Sequence, residues 1–231
     1  MDRSPLVRTK SSTGSGPTMT PIDVPLARTL TPGCAHVLHF NNAGASLMPE
    51  PVIAAVKEQL DLEARMGGYE AAFAIQDRIE HMYTALAELL HCAKEEVCFA
   101  ESATRAWDMA LLSLRLGPGD RVLTGYAEYG GNWLALLKLQ RSTGCTVELV
   151  PDDASGQIDV VALKRMLDER VKLVALTHVP SSGGLVNPIE SVGAALRGSN
   201  AIYLVDACQS AGQLPLDVER IGCDLLSGTG R

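Results

Sequence analysis

Apolar positions in this chain change their period several times, and each change marks an element. After Pro51, Val52, Val56 and Leu60 recur every four residues. Ile75, Ile79, Met82, Leu86 and Leu89 then follow at spacings of three and four, with Asp77, Arg78, Glu80 and Glu88 off the stripe. A helix places such positions on one face, so both stretches predict helices turned toward a core. From residue 97 the pattern alternates. Val97–Ala100 is a short apolar run, and Ala103–Leu116 is helical with Trp107, Leu111 and Leu114 on one side. Gly117-Pro118-Gly119-Asp120 reads as a turn. Arg121–Thr124, Thr146–Val150, Val171–Thr177 and Ala201–Val205 read as strands, and Trp133–Gln140, Val160–Leu167 and Ile189–Leu196 as helices. A last apolar run in Asp224–Ser227 leads into the small turn Gly228-Thr229-Gly230-Arg231. Strands alternating with helices of about three turns predict βαβ units around a buried parallel sheet. The expected fold class is α/β, a three-layer αβα arrangement with a mostly parallel sheet.

Composition narrows this picture. Of 231 residues, 46% are apolar, which supports a substantial core, and 4% are aromatic, so that core must be built from Ala, Leu and Val. The net charge is −7 and no basic stripe appears, which excludes nucleic acid as an expected partner. No apolar run approaches the roughly 20 residues of a membrane helix, so no membrane partner is expected. Cys34, Cys92, Cys98, Cys145, Cys208 and Cys223 are scattered, with no C-x-x-C pair. They signal no zinc site and read as reduced, mostly buried thiols of a cytoplasmic protein. Met1–Pro21 is rich in Ser, Thr, Pro and Gly, with Arg3, Arg8 and Lys10 against Asp2. Residues 1–33 are therefore expected to be a disordered or targeting tail, mitochondrial in the second case, and 34–231 the folded domain.

In open parallel sheets ligands bind beyond the carboxyl ends of the strands. The segments there are Glu101–Arg105, Tyr126–Asn132, His178–Gly184, Asp206–Gln209 and Ser227–Arg231, all small, polar or glycine-rich. Ser102-Ala103-Thr104-Arg105 opens a helix with no acid before Asp108. That positive terminus suits a phosphate, or Ser102 is an ordinary N-cap. Asp206 ends an apolar strand, either as a turn residue or as the partner of a buried cation. Tyr129, beside Gly130 and Gly131, offers a flat face to a ring or covers the sheet edge. His178 is a structural residue or a base. The chain has no G-x-G-x-x-G after a strand and no G-x-x-x-x-G-K-[ST], G-x-S-x-G or H-E-x-x-H. A phosphate without a nucleotide loop, plus an acid set for a heterocyclic nitrogen, points to pyridoxal 5'-phosphate (PLP).

These segments together resemble the class V aminotransferase family, the cysteine desulfurase-like branch of fold-type I PLP enzymes, from about Leu38 to Arg231. The carriers are Phe40–Ala45, Glu101–Trp107, Ala127-Glu128-Tyr129, Thr177-His178-Val179, Asn187-Pro188, Val205–Gln209 and Ser227–Arg231. The resemblance implies the large domain of a PLP-dependent transferase, incomplete at its C-terminus. It implies that Ala103 and Thr104 hold the cofactor phosphate, with Thr229, and that Tyr129 stacks on the ring where relatives often have His. Asp206 pairs with the ring nitrogen, Gln209 and Ser181 approach the phenolic oxygen, and Asn42 and Ala43 lie in the substrate-side loop. Arg231 falls where many relatives carry the His before the Schiff-base lysine, which is expected just after it.

The sequence departs from the desulfurase pattern at Pro180 and Ser181, where Asn is common, and at Tyr129, which removes a possible acid/base group. None of Lys10, Lys57, Lys94, Lys138, Lys164 and Lys172 sits in a flexible turn at a strand's carboxyl end, so none is a credible Schiff-base former. The implied function is the cofactor-binding portion of a PLP-dependent transferase or C–S lyase. Its substrate would be an amino acid or a sulfur-containing derivative, and its assembly a homodimer. The alternative is a catalytically inactive truncated paralogue.

Overall fold

A computed structural model of the chain describes residues 22–230. Its elements are α1 (Val24–Thr29), α2 (Glu50–Met66), α3 (Gly68–Ala74), α4 (Gln76–Leu90), α5 (Ala103–Leu112), β1 (Arg121–Thr124), α6 (Gly130–Thr143), β2 (Thr146–Leu149), α7 (Val160–Met166), β3 (Val171–Thr177), α8 (Ile189–Leu196), β4 (Ile202–Asp206), α9 (Val218–Ile221) and β5 (Leu225–Ser227). They divide into two units, one of residues up to Phe40 with Leu47–Glu58, the other of Asn41–Ser46 with Gln59 onward.

In the first unit, Asp23 caps α1 by accepting from the Leu26 N–H at 3.0 Å, and Pro25 presets the first turn. Among the described residues, regular structure therefore begins at Val24, inside the stretch read as a tail over 1–33. Residues 1–21 lie outside the described residues.

The second unit is built on a five-stranded, all-parallel sheet in the order β2-β1-β3-β4-β5. The run Val171–Thr177 is buried along almost its whole length, which a strand tolerates only when both faces are covered. Alternate strand residues feed two apolar layers. Val122, Leu173, Ala175 and Leu204 pack with Trp107 and Leu111 of α5 and with Leu136 and Leu139 of α6. Leu123, Val174, Leu176 and Val205 pack with Leu163 of α7, Val192 of α8 and Ile221 of α9. This is the three-layer arrangement that the sequence predicts. The chain moves outward from β1 to β2, then crosses back over β1 to β3, so the winding reverses between β1 and β3. Right-handed crossovers accordingly send α6 to one face and α7, α8 and α9 to the other.

Three expectations change. Val52, Val56 and Leu60 are not core-facing: each stays exposed, and α2 buries none of its residues. An amphipathic period shows that a helix has an apolar face, not that the described chain covers it. Val97–Ala100 forms no strand, and Phe99 is exposed, because the run has no paired neighbour in the sheet. The cysteines, expected to be mostly buried, are not: Cys145 is buried, Cys34 and Cys98 are exposed, and Cys92, Cys208 and Cys223 are half-buried.

Candidate active site

Strand alternation decides which polar strand ends face one another. Val122, Ala175, Leu204 and Leu225 point to the α5/α6 layer. Two residues further on, Thr124, Thr177, Asp206 and Ser227 point the same way at the carboxyl ends of β1, β3, β4 and β5. All four are buried. They surround the reversal between β1 and β3, where open α/β sheets hold ligands. The same parity sends His178 to the opposite face, where it lines a hollow with Ile189, Leu216 and Ile221. Its Nδ1 is buried without a partner, and burial pushes its pKa down. His178 thus lies off the face that carries Asp206.

Asp206 is 6% exposed and both its oxygens are engaged. Oδ1 accepts from the Cys208 N–H and Oδ2 from Asn132 Nδ2, each at 2.8 Å. Asn132 lies in the first turn of α6 and is buried. Its Nδ2 also reaches Thr177 Oγ1 at 3.5 Å. Thr177 is tied in turn to Glu128. Glu128 Oε1 accepts from the Thr177 N–H at 2.7 Å, and Oε2 from the Thr177 hydroxyl at 2.6 Å. Burial pushes the Glu128 carboxyl up to about 7, against the pull of hydrogen bonds from Thr177 and Asn132, and the Asp206 charge adds a smaller push.

The start of α5 is capped by Ser102, whose Oγ accepts from the Arg105 N–H at 3.1 Å. The N–H groups of Ala103 and Thr104 precede the first intrahelical bonds, and no acid occupies that turn. Ser102 is thus an N-cap, and the terminus still keeps two donors for an anion. α5 packs against α6 and β5.

Other expected site residues form a second group. Gln209 Nε2 donates to the Ala43 carbonyl at 2.9 Å and lies 3.4 Å from Ser181 Oγ. Asn42, beside Ala43, is exposed. Tyr129 is the N-cap residue of α6, half exposed, with its ring over Gly131. Thr229 is half-buried two residues beyond β5. Arg231 lies outside the described residues. The sequence marks Asp206 as a site residue, but not Asn132, which donates to it, nor Thr177 and Glu128 further along the same network. The signal available was the pair Glu128 and Asn132, four residues apart across a helix start.

The donor set has a definite chemistry. Thr124 Oγ1 and Ser227 Oγ are buried on this face with no partner. Buried hydroxyls are nearly always bonded, so these two await an acceptor. Free helix N–H groups and hydroxyls suit an anion, and a buried carboxylate suits a cation. The site fits a ligand that is anionic at one end and cationic at the other.

The family model for aminotransferase class V matches residues 38–231. A probable cysteine desulfurase of Pyrococcus abyssi is 26% identical over 213 residues, covering 90% of this chain and 51% of that protein. The apo cysteine desulfurase from Thermococcus onnurineus NA1 has a TM-score of 0.81 at 25% identity, over 92% of this chain and 54% of that one. A C-DES variant with glycine covalently linked to its PLP cofactor has a TM-score of 0.81 at 27% identity, over 92% of this chain and 56% of that one. The chain therefore spans about half the length of the relatives it matches.

Proposed function

The chain belongs to the class V aminotransferase family, and on that footing we propose that it forms the cofactor-binding part of a PLP-dependent transferase or C–S lyase. The substrate would be an amino acid or a sulfur-containing amino-acid derivative. The observation that carries the reading is Asp206, a buried carboxylate at the winding reversal, on the face that also holds two partnerless hydroxyls.

PLP, when bound, supplies an electron sink for a substrate carbanion. The residues of this chain bind and orient it. Asp206 pairs with the ring nitrogen and keeps a proton there. The N–H groups of Ala103 and Thr104 and the hydroxyl of Thr229 take the phosphate, with Arg231 two residues beyond Thr229 in sequence. Tyr129 covers one face of the ring and excludes water from it. Gln209 and Ser181, already within reach of each other, turn toward the phenolic oxygen. Asn42 and Ala43 border the substrate side. Self-association into a homodimer belongs to the same reading, and sedimentation of the protein tests it.

Titration of the protein with PLP, followed by absorbance and equilibrium dialysis, checks the proposal. Saturable binding is expected, weakened roughly 10- to 100-fold in Asp206→Ala, as for the loss of a hydrogen-bonded charge. Failure of the protein to retain PLP, or equal retention by the variant, would sink it.

A further inference from the structure

The two acids of the site lack a positive charge between them. Among the described residues neither Glu128 nor Asp206 has an ion-pair partner. Every group that donates to them is neutral: the Thr177 N–H and hydroxyl on Glu128, the Cys208 N–H and the Asn132 amide on Asp206. Buried carboxylates without a cation are costly, so such a pair is stable only while one acid holds a proton or a cation arrives.

While Glu128 is ionised it takes the hydroxyl proton of Thr177, so Thr177 Oγ1 is left to accept. Asn132 can satisfy Asp206 Oδ2 and Thr177 Oγ1 together only by turning its NH2 group to both, since its carbonyl oxygen would repel each. The chain of donors is therefore oriented from Asn132, outward to Asp206 on one side and through Thr177 to Glu128 on the other. It joins the loop after β1 to α6, β3 and β4 around the winding reversal.

Resting on the PLP reading above, we propose that Glu128 is a positioning residue, which orients Asp206 through Thr177 and Asn132 and releases a proton to solvent when the protonated cofactor ring is taken up beside Asp206. The charge balance is simple. Before uptake, burial keeps a proton on Glu128. After uptake, the cationic ring offsets one carboxylate and allows the second to ionise. The group whose charge acts on Glu128 from a neighbouring element is Asp206 on β4, and the buried phenol of Tyr203 on that strand feels Glu128 in return. Thr177 on β3 and Asn132 on α6 carry no charge. Tyr126 and Tyr129 are the other titratable groups of its own loop.

Calorimetric titration with PLP near pH 6.5, in two buffers of different ionisation heat, counts the protons released. Wild type is expected to release about half a proton to one proton more per PLP than Glu128→Gln, because that variant keeps the Thr177 contacts but cannot ionise. Thr177→Ser, which keeps the hydroxyl, should match wild type, and Thr177→Val should not. Equal proton counts in wild type and Glu128→Gln overturn the proposal. Carbon-13 carboxyl titration of the unliganded protein gives an independent readout. Asp206→Asn should lower the Glu128 midpoint by about half a unit or more, and an unmoved midpoint also overturns it. If wild type takes up no PLP, the proposed function fails instead, and the unliganded titration still decides the link between the two acids.

Discussion

Gly131 sets the pose of Tyr129. A Cβ built there would lie 2.6 Å from Cε1 and 3.1 Å from Cδ1 of the Tyr129 ring. Real contacts of that length do not persist, but the obstructing group is a side chain that can swing away. Gly131→Ala should therefore displace the ring rather than unfold the protein. Because alanine favours a helix over glycine by roughly 0.5–1 kcal/mol, the melting temperature should hold or rise slightly. PLP affinity should fall several-fold, since the ring no longer covers its face. Thermal unfolding and PLP titration together check this, and unchanged affinity would refute it. The residue scale also shows what a sequence exposes. Asp206 was legible because an acid closing an all-apolar strand is anomalous. Glu128 was not, because an acid in a polar loop looks solvated, and only the fold brings Thr177 to it across 49 residues. The face His178 takes follows from strand parity, and parity needs the strand's register.

Elements were legible where their own period fixed them. Arg121–Thr124 and Val171–Thr177 match β1 and β3 at both ends, since apolar runs bounded by turns leave little freedom. Ile189–Leu196 matches α8 likewise. Val97–Ala100 misled because a strand is defined by its neighbour, which no local pattern reports. Close approach between elements was equally hidden. Gly193 in α8 sits so near α9 that an added Cβ would lie 1.7 Å from the Ile221 carbonyl oxygen and 2.9 Å from its carbon. Both obstacles are backbone, so no rotamer relieves the clash, and α8 must move off α9 and the core they share. Gly193→Ala should cost about 1–3 kcal/mol or more, as overpacking does. In a domain of this size that lowers the melting temperature by roughly 3–10 °C. A differential scan showing no decrease would contradict the close packing of α8 on α9.

Across the whole molecule, the sheet carries polar clusters with opposite pH dependence at its two ends. At the amino ends of the strands, Arg121 is bidentate to Glu148 at 2.6 Å and meets Asp168 at 3.1 Å. Hydrogen bonding to Arg170, then to Arg121, holds Asp168 down to about 2, and Arg121 lowers Glu148 as well. Depressed acids stabilise the fold above their unfolded pKa, and that support is lost as pH falls through the folded value. At the carboxyl ends, Glu128 is raised from 4.5 to about 7, so its sign is reversed. Its contribution is complete below 4.5 and is lost as pH rises toward 7, because the folded state then binds the proton that the unfolded state has released. At 1.36 kcal/mol per unit the change is at most about 3 kcal/mol. Stability from these groups should therefore peak near pH 4–5, roughly where Asp168 is ionised and Glu128 is not. Glu128→Gln should flatten the alkaline limb, so the variant gains on wild type steadily from pH 5 to 8. Asp168→Asn should act on the acid limb alone, less stable than wild type at pH 7 and converging with it toward pH 2. Chemical denaturation at a series of pH values separates the two. Parallel wild-type and Glu128→Gln curves between pH 5 and 8 would mean that Glu128 is ionised throughout, and that burial beside Asp206 does not hold a proton on it.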